Sequence, residues 1–117
     1  MLIDSQDTSP NSVAEWVQAL FDELQDSQVL EIVLKPGIHS AIIECRGTGL
    51  MRSHKLPEHF IAGVLAKMKK LANLDVAERR CKQRGQVRLL DFHGSRAGFE
   101  VSTAPAGESE TMTLRRL

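Results

Sequence analysis

Apolar side chains near the start of the chain recur at intervals of three and four residues, which predicts an amphipathic helix. The stripe consists of Val13, Trp16, Val17, Leu20, Phe21 and Leu24. Ser12 precedes it, and Glu15 follows three residues later, the spacing of a capping box in which the carboxylate reaches back to the cap amide. The polar residues 1–11 predict a flexible N-terminal segment. We expect residues 12–117 to form one domain.

After this helix the chain contains short segments rich in branched residues, which predict strands. These segments are 29–35, 40–46 and 50–56, and turns are expected at residues 36–37 and 47–49, which contain proline or glycine. Three short strands joined by tight turns indicate an antiparallel meander.

A second helix is predicted from Pro57, a residue that the first turn of a helix tolerates well. Its apolar face would consist of Phe60, Ile61, Val64, Leu65, Met68 and Leu71. Lys67, Lys69 and Lys70 fall in the last turns, where positive charge complements the helix dipole. Asn73 is the predicted stop.

The last third returns to strand patterns at 87–92 and 97–103, joined by a hairpin turn at 93–96. Residues 104–107 (Ala-Pro-Ala-Gly) are expected to break the pattern before a final strand at 111–117. Helix, three strands, helix and three strands predict an α+β fold. We expect an antiparallel sheet of about five or six strands, packed with two or three helices.

Charge is balanced overall but unevenly distributed. The chain of 117 residues has 15 acidic and 15 basic side chains, and residues 1–31 hold seven of the acids and no lysine or arginine. This polarity suits self-association or an acidic protein partner, while the plainer interpretation is two solvated faces of one domain.

Motifs for catalysis are missing from the pattern. A phosphate-binding loop needs a glycine-rich stretch ending in Gly-Lys-Ser/Thr, and residues 94–98 (Gly-Ser-Arg-Ala-Gly) contain no lysine. The four histidines are scattered and have no carboxylate at ligand spacing, and Cys45 and Cys81 are isolated. We therefore predict no enzyme activity, no cofactor and no metal. The chain shows no run of apolar residues of membrane-span length and no secretory signal, so we expect a cytoplasmic location.

A basic run is the main candidate binding site. It comprises Arg79, Arg80, Lys82, Arg84 and Arg88. Arginine side chains in a surface loop bind carboxylate or phosphate groups well, although such a run is often only a solvated face. No aromatic residues are interleaved to stack bases, so nucleic acid is not expected as the ligand.

The second half of the chain resembles the domain that precedes the RecA-like motor in type II secretion and type IV pilus assembly ATPases. The resemblance rests on residues 70–80 (Lys-Leu-Ala-Asn-Leu-Asp-Val-Ala-Glu-Arg-Arg), Gln83, Gly85, 101–105 (Val-Ser-Thr-Ala-Pro) and 114–117 (Leu-Arg-Arg-Leu), in the family's order and spacing. It implies a small PAS-like α+β domain, and the motor itself has no counterpart in this sequence.

Two substitutions separate this chain from the family pattern. Gln86 and Glu100 stand where the family has arginines that reach toward the nucleotide bound to the motor. A glutamate facing a triphosphate would repel it, the opposite of an arginine finger's effect. The resemblance therefore implies a domain that keeps the scaffold and has lost the catalytic contribution.

These observations predict a non-catalytic accessory or regulatory domain that acts through protein–protein contacts. Its expected partners are secretion or pilus motor ATPase subunits, or a second copy of itself, with membrane contact only indirectly through a secretion complex. Two alternatives stay open: an excised N-terminal domain of a full-length secretion ATPase, and a PAS-like module that senses a small molecule.

Overall fold

The computed structural model describes residues 10–90 and 96–117. Two helices and six strands occur in these residues. In chain order they are α1 (Val13–Gln25), β1 (Glu31–Pro36), β2 (Ser40–Gly47), β3 (Leu50–Pro57), α2 (Glu58–Leu71), β4 (Gln83–Leu90), β5 (Arg96–Ala106) and β6 (Ser109–Arg116). The predicted α+β class and element order are confirmed. The predicted N-terminal segment and hairpin turn lie mostly outside the described residues.

The six strands form one antiparallel sheet in the order β3-β2-β1-β6-β5-β4. β1, β2 and β3 are the predicted meander, and β4, β5 and β6 pair in the same way. The first and last strands join these two halves, since Ile32 of β1 lies opposite Leu114 of β6. β3 and β4 are therefore the two edge strands of the sheet.

One face of the sheet carries the hydrophobic core. Alternate residues of neighbouring strands meet there, for example Leu34, Ile43 and Met112, and both helices cover them. The core includes Trp16, Leu20, Leu24, Ile32, Leu34, Ala41, Ile43, Leu56, Val64, Met68, Val87, Phe99, Val101, Met112 and Leu114. The opposite face, which we call the open face, has no described helix on it and carries mainly polar and charged side chains. The predicted apolar stripes of both helices are thus accounted for by core packing, except at Leu71, which is exposed at the end of α2.

α1 begins where the capping pattern predicts, with a change in one contact. The Ser12 hydroxyl accepts a hydrogen bond from the Glu15 backbone N–H at 3.1 Å, as in a capping box. The Glu15 carboxylate, however, accepts from the backbone N–H of Asn11 at 3.4 Å, not from that of Ser12. The reciprocal hydrogen bond of the capping box is thus made by Asn11, one residue before the predicted donor, Ser12.

The other end of α1 is held by an arginine from the last strand. Arg116 donates to the backbone carbonyls of Asp26, at 2.6 Å, and Val29, at 3.1 Å, and also to that of Leu24. The last carbonyls of a helix have no partner within the helix, and the last turn of α1 contains no basic residue of its own. Arg116 supplies both the donors and the positive charge.

β4 starts earlier than predicted, because Gly85 lies within the strand and not in a turn. A Cβ at this position would lie 2.4 Å from the carbonyl oxygen of Ala72 and 2.9 Å from the Leu74 side chain. Glycine is therefore needed for the chain that follows α2 to pass closely over β4. The sequence could show the glycine but not the segment that approaches it.

β5 runs through the predicted break at 104–107. Its pairing with β4 ends at Thr103, whereas its pairing with β6 continues to Ala106. Pro105 thus lies in a part of β5 that has β6 on one side only, where a missing N–H need not interrupt a ladder. The turn itself is at Gly107, which has a φ of +60°.

Among residues 10–90 and 96–117, neither helix has the length and apolar character needed to cross a lipid bilayer.

Candidate functional site

The segment between α2 and β4 carries part of the predicted basic site, and side-chain hydrogen bonds hold it in place. Asn73 ends α2 with a φ of +61°, in the left-handed region that asparagine tolerates. The Gln83 side chain accepts from the backbone N–H of Asp75 at 2.8 Å and donates to its carbonyl at 2.9 Å. Glu78 Oε1 accepts from the backbone N–H of Arg80 at 2.7 Å. The arginines of this segment are thus presented from an ordered backbone.

Lys69 also holds this segment in place, and it is buried, unlike its neighbours Lys67 and Lys70 on α2. Its Nζ donates to the Glu78 carbonyl at 2.6 Å and lies 2.6 Å from Glu110 Oε1. The side chains of Lys69 and Glu110 are only 1% and 3% exposed. Glu110 Oε2 has no hydrogen-bond partner among the described residues. Sequence reasoning missed this pair because its members are 41 positions apart and both residue types favour the surface.

The five predicted binding residues are all exposed and lie along one border of the molecule. Arg79 and Arg80 project from the segment before β4, Lys82 immediately precedes the strand, and Arg84 and Arg88 lie on β4. We call Arg79, Arg80, Lys82, Arg84 and Arg88 the basic surface.

Acidic neighbours of the basic surface are few. Arg80 Nε lies 3.6 Å from Glu78, and Arg84 Nε lies 3.7 Å from Glu100. The Arg80 and Arg84 side chains are nevertheless 90% and 75% exposed. The hydrogen bond from the Arg80 backbone N–H, more than the arginine charge, lowers the pKa of Glu78. Each of these carboxylates thus leaves its arginine open to a partner.

The basic surface opens toward both sides of the sheet. Arg79 lines a cavity of about 290 Å³ beside α2. Lys82 and Arg84 line a shallow depression over the open face, together with Ser102 and Thr113. A partner that contacts all five residues must therefore cover the β4 border of the sheet.

Gln86 and Glu100, which are far apart in sequence, lie directly opposite each other on β4 and β5. Both project on the open face, and Arg115 of β6 is the other cross-strand neighbour of Glu100. The two positions that the family resemblance matches to arginines therefore lie side by side in the sheet. In this chain the two positions hold a neutral amide and a carboxylate flanked by arginines.

A network of alternating charges crosses the open face, and sequence reasoning did not predict it. Arg46 Nη2 lies 2.5 Å from Glu44, and Arg46 Nη1 lies 3.4 Å from Glu31. Arg115 in turn lies 3.3 Å from Glu31, and Lys35 lies 3.1 Å from Glu44. The two-residue alternation of charged positions within each strand was a usable signal, but pairing them required the strand order.

A second group missed by sequence reasoning brings together Glu23, Cys45 and His54, whose potential ligand atoms all lie within 4.8 Å of one another. His54 Nε2 is 3.8 Å from Glu23, so the fold supplies the carboxylate neighbour that the sequence spacing did not. Arg52 already donates to Glu23 at 2.7 Å. Burial, reinforced by Glu23, raises the pKa of the Cys45 thiol to about 12. A protonated thiol and an arginine-bound carboxylate favour an ion-pair cluster linking α1 to β3 over a cation site.

No family model matches the chain. The chain is, however, 29% identical over 117 residues to the type II secretion system protein HxcR of Pseudomonas aeruginosa, covering 99% of this chain and 24% of that protein. It is also 29% identical to the type II secretion system protein E of Klebsiella pneumoniae, with 23% of that protein covered. The type II secretion system ATPase E of Vibrio cholerae is 26% identical, again over 99% of this chain and 23% of the relative.

The chain spans about a quarter of the length of these curated relatives. The similarity covers both halves of the fold, including the meander of β1, β2 and β3. The resemblance indicated by the motifs after α2 is therefore confirmed: over nearly its whole length, this chain is similar to one portion of type II secretion system protein E.

Proposed function

We propose that this chain is a non-catalytic, cytoplasmic accessory domain of a type II secretion or type IV pilus system, which docks onto a motor ATPase subunit through its basic surface. The observation that carries the proposal is the exposure of five basic side chains along one border. Among the residues that the structure describes, Glu78 and Glu100 are the carboxylates within ion-pair distance of them. Exposed arginines of this kind pair with carboxylates on a partner and speed association.

The fold favours an acidic partner over a second copy of the chain. Glu23 and Asp26 are engaged by Arg52, and Glu31 is engaged by Arg46 and Arg115. Residues 1–31, which we call the acidic N-terminal region, contain seven acids, and three of them are therefore paired with arginines of the same molecule. The basic surface has far less internal compensation, so its complement is expected on another protein.

The non-catalytic part of the proposal rests on Gln86 and Glu100. Arginines at such positions would stabilise charge on a transferring phosphate, and an amide and a carboxylate do not. With Arg84 beside Glu100, the local site is better suited to ion pairing within the sheet and with a partner than to binding a triphosphate.

The proposal is tested by tagging the protein in its own host and identifying co-purifying proteins by mass spectrometry. Secretion or pilus motor subunits are expected with the unmodified chain and should be lost with Arg79→Glu/Arg80→Glu. Lys67→Glu/Lys70→Glu reverses two exposed charges on α2 and serves as the matched control, which should retain the partner. Equal recovery with both variants would show that the basic surface is not the docking site.

A second candidate function, small-molecule sensing, is favoured by the cavity of about 290 Å³ beside α2. Its walls include Ile61, Leu65 and Val76, with Lys69 and Glu110 among the lining residues. A metabolite that binds there should raise the melting temperature of the chain and should co-purify with it. Absence of any stabilising compound in a metabolite screen would exclude this function.

The alternative that the chain acts as one part of a longer secretion ATPase makes a different prediction. In that case the genomic reading frame would continue into a phosphate-binding loop, and ATP hydrolysis by the longer protein would depend on the β4 border. Measuring ATPase activity of such a product with and without Arg79→Glu/Arg80→Glu would separate this alternative from the accessory role.

A further inference from the structure

β4 is an edge strand of the sheet. The edge that does not pair with β5 has unpaired backbone groups, and charged side chains recur along the strand. The strand order places β4 at the end of the sheet, and β5 is the neighbour with which it pairs. Among the described residues, the backbone of β4 makes no hydrogen bond to a segment other than β5. An edge of this kind presents unpaired N–H and C=O groups to which another extended chain can add.

Side chains on the open-face side of this edge are long and polar. Arg84, Gln86 and Arg88 alternate with residues that face the core, so successive members are roughly 7 Å apart along the strand. Arg88 donates to Gln86 at 3.3 Å, and neither Arg88 nor Lys82 has a carboxylate within ion-pair distance among the described residues. Positive charge therefore stands at two positions four residues apart, with an amide midway.

The other edge of the sheet differs in this respect. The open-face side chains of β3 are Met51, Ser53 and Lys55, which provide one positive charge. Charge complementarity thus distinguishes β4 from β3 as a site for an acidic strand.

We propose that β4 is a strand-addition site, at which an extended acidic segment of the docking partner pairs with the backbone of residues 84–90 as a seventh strand. The inference rests on the proposed function for the identity of the partner, and adds the mode of binding. Residues directly opposite each other on paired strands have Cβ atoms roughly 5 Å apart. Acidic residues four positions apart on the added strand would therefore lie opposite Arg84 and Arg88, and a polar residue between them would meet Gln86.

The spacing between two acidic residues of a peptide distinguishes strand addition from attraction by charge alone. Glutamates four residues apart project on the same face of a strand, whereas glutamates three residues apart project on opposite faces in every register. Two peptides of identical composition and charge thus differ in whether both carboxylates can reach the arginines.

The experiment measures binding of synthetic peptides to the isotopically labelled full chain by NMR and fluorescence anisotropy. The first peptide has glutamates four residues apart with threonine midway, the second has them three apart, and the third repeats the first with N-methyl groups on its central residues. The first should bind at least tenfold more tightly than the other two and should shift amide signals mainly in β4. Equal binding of the N-methylated peptide would overturn strand addition, because that peptide keeps the charge and lacks the backbone donors.

Variants of the protein test the same contact from the other side. Arg84→Gln/Arg88→Gln should weaken the first peptide at least tenfold, and Lys55→Gln, on the opposite edge, should leave it unchanged. Signal changes centred on β3 or α2 would also overturn the proposal.

The experiments distinguish failure of strand addition from failure of the proposed docking to a motor subunit. If the motor subunit binds through Arg79 and Arg80 but the N-methylated peptide binds as well as the parent, docking stands and strand addition is wrong. If the parent peptide alone binds at β4 and no secretion subunit is recovered from the host, strand addition stands and the proposed partner is wrong.

Discussion

Lys69 and Glu110 are the charged residues whose replacement should affect stability most. Both side chains are buried, so removing one leaves the other charged and without its partner. We expect Lys69→Met to lower the free energy of unfolding by about 3–5 kcal/mol. The double variant Lys69→Met/Glu110→Leu should recover much of this loss, because no charge is left in the core.

Urea unfolding of the purified variants measures both effects. Lys70→Met changes an exposed neighbour on the same helix and should alter stability by no more than about 0.5 kcal/mol. A Lys69→Met variant as stable as Lys70→Met would contradict the buried ion pair.

A second prediction at the residue scale concerns Arg116, whose guanidinium donates to the carbonyls of Leu24 and Asp26 at the end of α1 and of Val29 before β1. Arg116→Ala should cost about 1.5–3 kcal/mol, the usual range for hydrogen bonds that involve a charged group. Amide hydrogen exchange should increase first in the last turn of α1. Arg115→Ala, which removes a side chain that is 65% exposed, is the matched control and should leave exchange in α1 unchanged.

At the scale of elements, acid should weaken the link between α1 and β3. The pKa of Asp26 is lowered, first by a hydrogen bond from the Gln28 backbone N–H and then by Arg52. A carboxylate with a lowered pKa in the folded state stabilises the fold above its unfolded pKa, and this stability is lost as the pH falls through the folded value. The wild-type protein should therefore lose more stability than Asp26→Asn when the pH is lowered from about 5 to about 2.

Thermal unfolding over this pH range gives the measurement, and the difference between wild type and Asp26→Asn isolates the contribution of one carboxylate. Asp22→Asn, on α1, is the control, because among the described residues Asp22 has only a hydrogen bond from Gln18. Parallel pH profiles for wild type and Asp26→Asn would contradict the assigned role of this side chain.

Periodicity predicted the elements well, since apolar spacing within one helix or strand reports directly on which face is buried. Periodicity does not report on contacts between side chains of different elements, so these contacts could not be predicted from the sequence. The Glu23, Cys45 and His54 cluster joins three elements, and position 85 of β4 requires glycine because Ala72 passes over it. Five basic residues were correctly expected at the surface, whereas the burial of Lys69 depended on Glu110, a residue from a distant hairpin.

At the scale of the whole molecule, folding brings basic residues from the later strands into contact with acids near the start of the chain. Arginines of β2, β3 and β6 engage acids of the acidic N-terminal region, through pairs such as Arg52–Glu23 and Arg115–Glu31. What is left is a basic border along β4, next to Gln86 and Glu100. We propose that this border binds a secretion or pilus motor subunit.

Equilibrium binding of the full chain to the purified motor subunit of its own host tests this claim most directly. Wild type and Lys67→Glu/Lys70→Glu should bind with similar affinity, and Arg79→Glu/Arg80→Glu should bind at least tenfold more weakly, a loss of about 1.4 kcal/mol or more. The same affinity for all three proteins, or no binding by wild type, would contradict the account.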